Sequence, residues 1–392
     1  MKSTEKIEGH IPVLDGLRGF AVLYVMFAHL FPFDIIVWNT VVEKIIFGLF
    51  TMGWSGVDLF FVLSGFLITG ILYQSKGNKH YYRNFYIRRT LRIFPLYYLL
   101  VFIFLIVVPH IPIFKQVNFF WITEGNKIWY WFYLTNFSNE LRVPVHLFLC
   151  VAWSLSIEEQ YYIVYPTIVS IIDRKKLIYV LLGIFVFSFV LRAVLFYLYK
   201  DAVHAYHFTF TRLDAIAFGG ITRILLIRIN DFGKAISFLY YSFKYWTVLL
   251  FAIIIYCALT IPTGIEICYH PLMVVLGYGV VAIFYSGLLL RSVINHKGLI
   301  FSFFNSKILR TTGKYSYAIY LLHFPTRYFI LTSISVIAKK ILVMDDSILN
   351  LPTSKIAVFI FSVIFTYLFA YLSWQLFEGP INRLKESFVL NN

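Results

Sequence analysis

Charge is scarce in this sequence. Of its 392 residues only 14% are Asp, Glu, Lys or Arg, and Asp and Glu together number 19. A soluble globular chain carries about 25% charged residues. Here 60% of residues are hydrophobic and mean hydropathy is +0.78. That balance excludes a water-soluble domain and describes an all-α protein that crosses a membrane many times. Cysteine is nearly absent. Cys150, Cys257 and Cys268 show neither metal-ligand spacing nor an even framework, which leaves them as small buried hydrophobes and gives no sign of a metal site. No stretch rich in Pro, Ser or Gly forms a linker, and there is no internal repeat or low-complexity run, so residues 1–392 are expected to form a single transmembrane domain. No small-x-small cleavage pattern follows the first apolar run, which itself contains Arg18 and His29. It reads as a retained helix and not as a signal peptide.

Positive charge is the exception to this scarcity: the formal net charge is +15. Its placement argues against a nucleic-acid partner, because most of it falls in short segments between apolar runs. Ten segments satisfy the requirement of about 20 mainly apolar residues for a span. They lie near 13–32, 54–73, 91–110, 150–172, 177–199, 212–229, 246–262, 271–290, 316–338 and 356–378. With the N-terminus inside, the inner segments hold 22 Lys and Arg residues, the outer ones 9 and the spans 3. Positive residues accumulate on the cytoplasmic side, so both termini are expected there, with the chain in the lipid bilayer. The longest outer loop, about 111–149, contains "IWYWFYLTNF", Ile128 to Phe137. It reads equally as an interfacial helix or as an aromatic surface for sugar stacking. The sequon at Asn136 carries no weight.

Several polar residues sit where lipid should be, and a mid-bilayer charge costs a few kcal/mol on insertion scales (about 3). "LDGLRGFAVLYVMFAHL" places Asp15, Arg18 and His29 in the first span. Arg18 and His29 are eleven residues apart, which on a helix is three turns and about 16 Å along one face. In "NFYIRRTLRIFP", Arg89 and Arg92 are three apart and stack on one face, where guanidinium forks suit phosphate oxygens. "CVAWSLSIEEQYYIVYP" carries Ser154, Glu158, Glu159 and Gln160. The adjacent glutamates point about 100° apart, and either is a candidate to face a cavity. "GWSGVDLFFVLSGFLITG" carries Asp58 and Ser64 among small residues that permit close helix approach. "GKYSYAIYLLHFPTR" places His323 and Arg327 on one face, with His323 in the cytoplasmic half on this topology. In "TRLDAIAFGG", Arg212 and Asp214 read as an ion pair at the outer surface.

Taken together and in this order, "LDGLRG…H", "GVDLFFVLSGFLI", "YIRRTLRIFPLYY", "WSLSIEEQYY", "TRLDAIAFGG" and "YSYAIYLLH", with "FEGPINR" near the end, resemble the bacterial membrane acyltransferase-3 proteins. Members of that family O-acylate cell-surface polysaccharides and some small molecules. The resemblance implies a ten-helix core and an acyl-CoA cosubstrate, most often acetyl-CoA, bound from the cytoplasm, with no permanently bound cofactor. It places the family's Arg-x10-His motif on Arg18 and His29, its Arg-x-x-Arg motif on Arg89 and Arg92, and its acidic pair on Glu158 and Glu159. Many relatives add a C-terminal extracytoplasmic hydrolase-like domain. None is expected within 1–392, which leaves open a separate extracytoplasmic partner protein.

The mechanism expected from these residues has Arg18, Arg89 and Arg92 holding the phosphates of acyl-CoA while its thin arm threads inward. The thioester reaches His29, and a hydroxyl of a carbohydrate or lipid-linked glycan approaches from outside. His29 acts as general base or as acyl carrier, with Glu158 or Glu159 orienting the ring as the acid does in hydrolase triads. Asp15, Asp58, Ser64, Ser154, Gln160 and His323 are expected as supporting groups. The competing reading is a proton-coupled transporter that relays protons through its intramembrane Arg, His and Glu.

Overall fold

A computed structural model describes residues 10–36, 38–111, 126–140, 145–200, 202–260, 267–340 and 349–388. Lys2, Lys6, Lys115, Arg142 and much of the expected outer loop lie outside the described residues. Within them the structure is helical, with no strand. Among the described residues seven helical segments are long and apolar enough to cross a membrane: Pro12–Leu30, Val41–Ser75, Tyr81–His110, Leu177–Tyr199, Ile229–Thr260, Met273–Ile294 and Pro352–Arg383. The chain is thus an all-α, multi-pass membrane protein.

In chain order the helices are α1 (Pro12–Leu30), α2 (Val41–Thr51), α3 (Gly56–Ser75), α4 (Tyr81–Phe102), α5 (Ile128–Trp131), α6 (Thr135–Glu140), α7 (Ala152–Ile171), α8 (Leu177–Tyr199), α9 (Ala202–His207), α10 (Thr209–Ile227), α11 (Ile229–Thr260), α12 (Tyr278–Ile294), α13 (Leu299–Phe304), α14 (Lys307–Lys340), α15 (Pro352–Ser373), α16 (Gly379–Arg383) and α17 (Lys385–Phe388). All ten apolar segments expected from sequence fall on helices. Three of them, α7, α10 and α14, are not among the seven apolar ones. They carry Glu158 and Glu159, Arg212, Asp214 and Arg223, and His323 and Arg327, respectively, and most of these side chains face protein: Glu159, Arg212, Asp214, Arg223 and His323 are all buried.

Two parallel helix pairs set the geometry. α1 lies against α13 and α14 so closely that a side chain at Gly16, Gly19 or Gly313 would run into the backbone of Phe304, Leu309 or Asp15. Small residues permit that approach, and it fixes the register that sets His29 opposite His323. α3 packs on α10 in the same way, with Gly65 against Ile216 and Gly219 against Val62.

Buried ion pairs tie these elements together. Asp58 accepts from Arg212 at 2.9 Å, and Asp214 accepts from Arg192 at 2.7 Å, all four side chains being at most 1% exposed. This corrects the expected surface pair between Arg212 and Asp214. Residues two apart on a helix point to nearly opposite sides, so Arg212 reaches α3 while Asp214 reaches α8. Arg212 also lies over the Tyr278 ring at 4.3 Å.

One face of the aromatic outer stretch packs into the protein, while Ile128 and Phe132 stay exposed. Tyr130, Tyr133, Thr135, Asn136 and Ser138 are buried. The Tyr97 and Tyr98 hydroxyls of α4 donate to the carbonyls of Tyr130 and Trp131. From the middle of α7, Gln160 donates to the Tyr133 carbonyl and to Asn136 Oδ1, both at 2.9 Å. The segment therefore dips into the bundle, where non-helical backbone is tolerated because protein, not lipid, satisfies it.

Candidate active site

Five helices converge on a cavity of about 110 Å³. α1 contributes Arg18, α3 Phe60 and Ser64, α4 Arg89 and Arg92, α7 Ser154 and Glu158, and α14 Ser316, Tyr317 and Tyr320. The cavity has two chemically distinct ends. At one, Glu158 lies against the Ser64 and Tyr162 hydroxyls, Ser64 is hydrogen-bonded to Tyr162, and Arg89 sits 5.6 Å over the Tyr162 ring. At the other, the Tyr320 hydroxyl meets Ser154 Oγ at 2.7 Å, and the Phe60 ring packs edge-on against Tyr320 at 6.1 Å.

The arginines are unequal. Arg18 is held by Asp15 at 3.0 Å, and Asp15 in turn hydrogen-bonds His10 at 2.6 Å. Arg89 and Arg92 face the cavity, yet among the described residues neither has a hydrogen bond or an ion pair. Glu378, at the end of a widened helical turn Trp374–Glu378, lies near Arg92, but its carboxylate bonds Ser373 Oγ at 2.9 Å. Lys385 adds a further cation. Partial burial and the neighbouring guanidiniums of Arg92, Arg89 and Arg88 push its amine down to about 8. This end of the cavity holds more positive than negative charge, an arrangement that a multiply charged anion would complete.

His29 does not line the cavity. Its Nδ1 lies 2.9 Å from Nε2 of His323, the two rings are parallel within 4°, and Phe324 covers the His29 ring at 4.8 Å. The His323 ring is 5.9 Å from Tyr320, so the histidine pair stands just behind the tyrosine that closes the cavity. This corrects the placement of His323 in the cytoplasmic half. α14 begins at Lys307, well before the expected boundary, which carries His323 up to the level of His29.

The sequence-derived candidates therefore divide. Arg18, Arg89, Arg92, Glu158, Ser64 and Ser154 share the cavity, and His29 and His323 form a pair beyond it. Glu159 points elsewhere: it is buried among Tyr97, Tyr133 and Tyr317, and its Oε1 has no hydrogen-bond partner among the described residues. The ring partner of His29 is His323 and neither glutamate. Gln160 and Asp58 serve packing, anchoring the inserted segment and Arg212 respectively. Sequence reading missed Tyr162, Glu378 and Lys385. Glu378 was visible as a carboxylate inside "FEGP", at the end of an apolar run.

The family model described as an acyltransferase domain matches residues 11–375. The chain belongs to this acyltransferase family. Its curated relatives include the peptidoglycan O-acetyltransferase OatA of Listeria monocytogenes, 27% identical over 97% of this chain and 57% of OatA. Another is YrhL of Bacillus subtilis, provisionally named a peptidoglycan O-acetyltransferase, 27% identical over 95% of this chain and 55% of YrhL. The chain thus spans just over half the length of these relatives. No solved structure matches it.

Proposed function

We propose that this chain is a membrane O-acetyltransferase, moving an acetyl group from cytoplasmic acetyl-CoA to a hydroxyl of an extracytoplasmic carbohydrate. In this reading ten helices (α1, α3, α4, α7, α8, α10, α11, α12, α14 and α15) span a bacterial inner membrane, with both termini in the cytoplasm. The observation that carries the proposal is the pair of guanidiniums, Arg89 and Arg92, with neither a hydrogen bond nor an ion pair among the described residues, at one end of a cavity whose other end abuts the His29–His323 pair. Coenzyme A has matching polarity: anionic phosphates, a thin arm, and a thioester at the tip. Arg18, Arg89, Arg92 and Lys385 hold the phosphates, and the arm runs past Phe60 and Leu155 toward Tyr320.

Chemistry takes place where the thioester meets His29. The acceptor hydroxyl attacks the thioester carbonyl as a neutral imidazole takes its proton, an effect typically worth about 10²–10⁴-fold. When the tetrahedral intermediate collapses, the carbon–sulfur bond breaks and the thiolate leaves, recovering that proton from the imidazolium. The relatives' names point to peptidoglycan as the first acceptor to test, and a separate extracytoplasmic protein is a candidate to relay the acetyl group.

The test uses the full chain in proteoliposomes with radiolabelled acetyl-CoA and purified peptidoglycan strands. Label should move to the glycan with stoichiometric release of coenzyme A, and His29→Ala should abolish both while the protein stays folded. Full activity in His29→Ala would remove His29 from the mechanism. Solute movement without consumption of acetyl-CoA would favour a proton-coupled transporter instead.

A further inference from the structure

The hydrogen bonds around His323 decide which nitrogen of His29 is free. His323 Nδ1 lies 3.2 Å from the Ile319 carbonyl, one turn back on α14. A carbonyl oxygen can only accept, so Nδ1 of His323 carries a proton. In a neutral imidazole the other nitrogen is then bare, and that nitrogen, Nε2, is the one 2.9 Å from His29 Nδ1. His29 must therefore donate from Nδ1, which leaves its own Nε2 as the lone pair. A cationic His323 would reverse this order, but it would set an unpaired charge on a side chain with no solvent exposure, one turn from the Arg327 guanidinium. Arg327 is itself tied to the pair by donating to the His29 carbonyl. The remaining ring surfaces are apolar or aromatic: Phe324 lies against both imidazoles and Tyr320 against His323. Among the described residues nothing occupies His29 Nε2, and His29 is only partly buried.

We propose that His323 is a positioning residue that fixes His29 in its Nδ1–H tautomer and so makes Nε2 the atom that takes the acceptor's proton. This rests on the reading of His29 as the base. The proton relayed in turnover moves from the acceptor hydroxyl to His29 Nε2 and on to the departing sulfur. The Nδ1 proton stays in the bond to His323 throughout, and His323 neither gains nor loses one. The Ile319 carbonyl thus acts at second hand, setting the tautomer of two rings in series. A carboxylate in the place of His323 would hold the same tautomer, but a neutral acceptor does so without placing a negative charge beside the thioester.

Two measurements test the proposal. The first is ¹⁵N solid-state NMR of histidine-labelled wild-type protein in lipid bilayers, with His29→Gln used to assign the His29 signals. Nδ1 should be protonated and Nε2 bare; a protonated Nε2 with bare Nδ1 overturns the proposal whatever the variants do. The second is acetyl transfer from acetyl-CoA to peptidoglycan strands by His323→Gln and His323→Leu across a range of pH. Glutamine offers an amide oxygen to the His29 Nδ1–H and should keep kcat within about tenfold of wild type. Leucine offers none and should lower kcat by about 10²–10³-fold, the scale of general-base catalysis, with the donor KM unchanged. Equal activity of the two variants overturns the positioning role. Activity surviving in His29→Ala, with the tautomer still observed in wild-type protein, would instead reject the reading of His29 as the base.

Discussion

Tyr320 stands between the cavity and the histidine pair, so the proposed acetyl transfer at His29 requires it to move. Tyr320→Phe isolates the latch. The hydroxyl meets Ser154 Oγ at 2.7 Å, with the Val151 carbonyl as its alternative acceptor at 3.3 Å, and Ser154 Oγ lies 3.1 Å from that same carbonyl. The substitution therefore leaves no buried donor stranded, and the ring keeps its packing on Phe60 and His323. A neutral hydrogen bond contributes about 0.5–1.5 kcal/mol net, and 1.4 kcal/mol is tenfold. The equilibrium between closed and open Tyr320 should shift toward open by about 2–13-fold. Water then reaches the thioester more often. The assay is coenzyme A release from acetyl-CoA without acceptor, followed with a thiol reagent. It should rise by up to that factor in Tyr320→Phe, and less in Ser154→Ala, where the tyrosine keeps its bond to Val151. The donor KM should stay within about twofold, because the phosphate end of the cavity is untouched. A fall in both hydrolysis and transfer would refute the latch and put the Tyr320 hydroxyl in the chemistry. No change in either would show that the path to His29 lies elsewhere.

Replacing Arg89 or Arg92 by Gln should raise the donor KM by about 10–100-fold, since a charge-assisted bond contributes about 1.5–3 kcal/mol. kcat at saturating acetyl-CoA should hold, and an unchanged KM would make these residues topology signals only. Lys385, with its amine pushed down to about 8, is cationic below that pH and neutral above it. Donor affinity should therefore weaken as pH rises through about 8, and Lys385→Met should lose that alkaline limb; an identical profile in the variant would remove Lys385 from the site. Asp58→Ala leaves Arg212 buried without its partner and should cost about 3–5 kcal/mol, read as earlier thermal unfolding in detergent. Pairing it with Arg212→Met should recover most of that loss.

Sequence reading reached most of the fold because the spans are long and their punctuation is strong. Pro12 opens α1, charged residues mark the ends of the apolar runs, and all ten expected segments are helical. The inserted segment Ile128–Glu140 was out of reach for a physical reason. Aromatic residues at an interface and aromatic residues packed in a bundle have the same composition. What distinguishes them is Gln160 and two tyrosine hydroxyls on other helices. The site was legible as residue types and not as pairings. Helical spacing put Arg18 and His29 on one face, but the partner of His29 is set by the register of α14 against α1. That register depends on how closely the backbones approach at Gly19 and Gly313, which no single-helix periodicity records.

The charges within the bundle fall into two kinds, and the difference carries the functional argument. Arg192 and Arg212 are wholly buried, and each has a carboxylate at hydrogen-bond distance on another helix. Removing either partner is costly, so these pairs read as cross-links that fix helix positions. Arg89 and Arg92, near the start of α4, instead face the cavity, and among the described residues no carboxylate forms an ion pair with them. A fold that needed them only for stability would place an acid opposite, as it does at Asp58 and Asp214. Cations kept partnerless beside a cavity are instead stabilised when an anion arrives, and their cost in the empty state is what makes binding at that end selective for charge. Among the described residues the same cavity carries no such cation at its Tyr320 end, which suits the neutral thioester of the proposed donor.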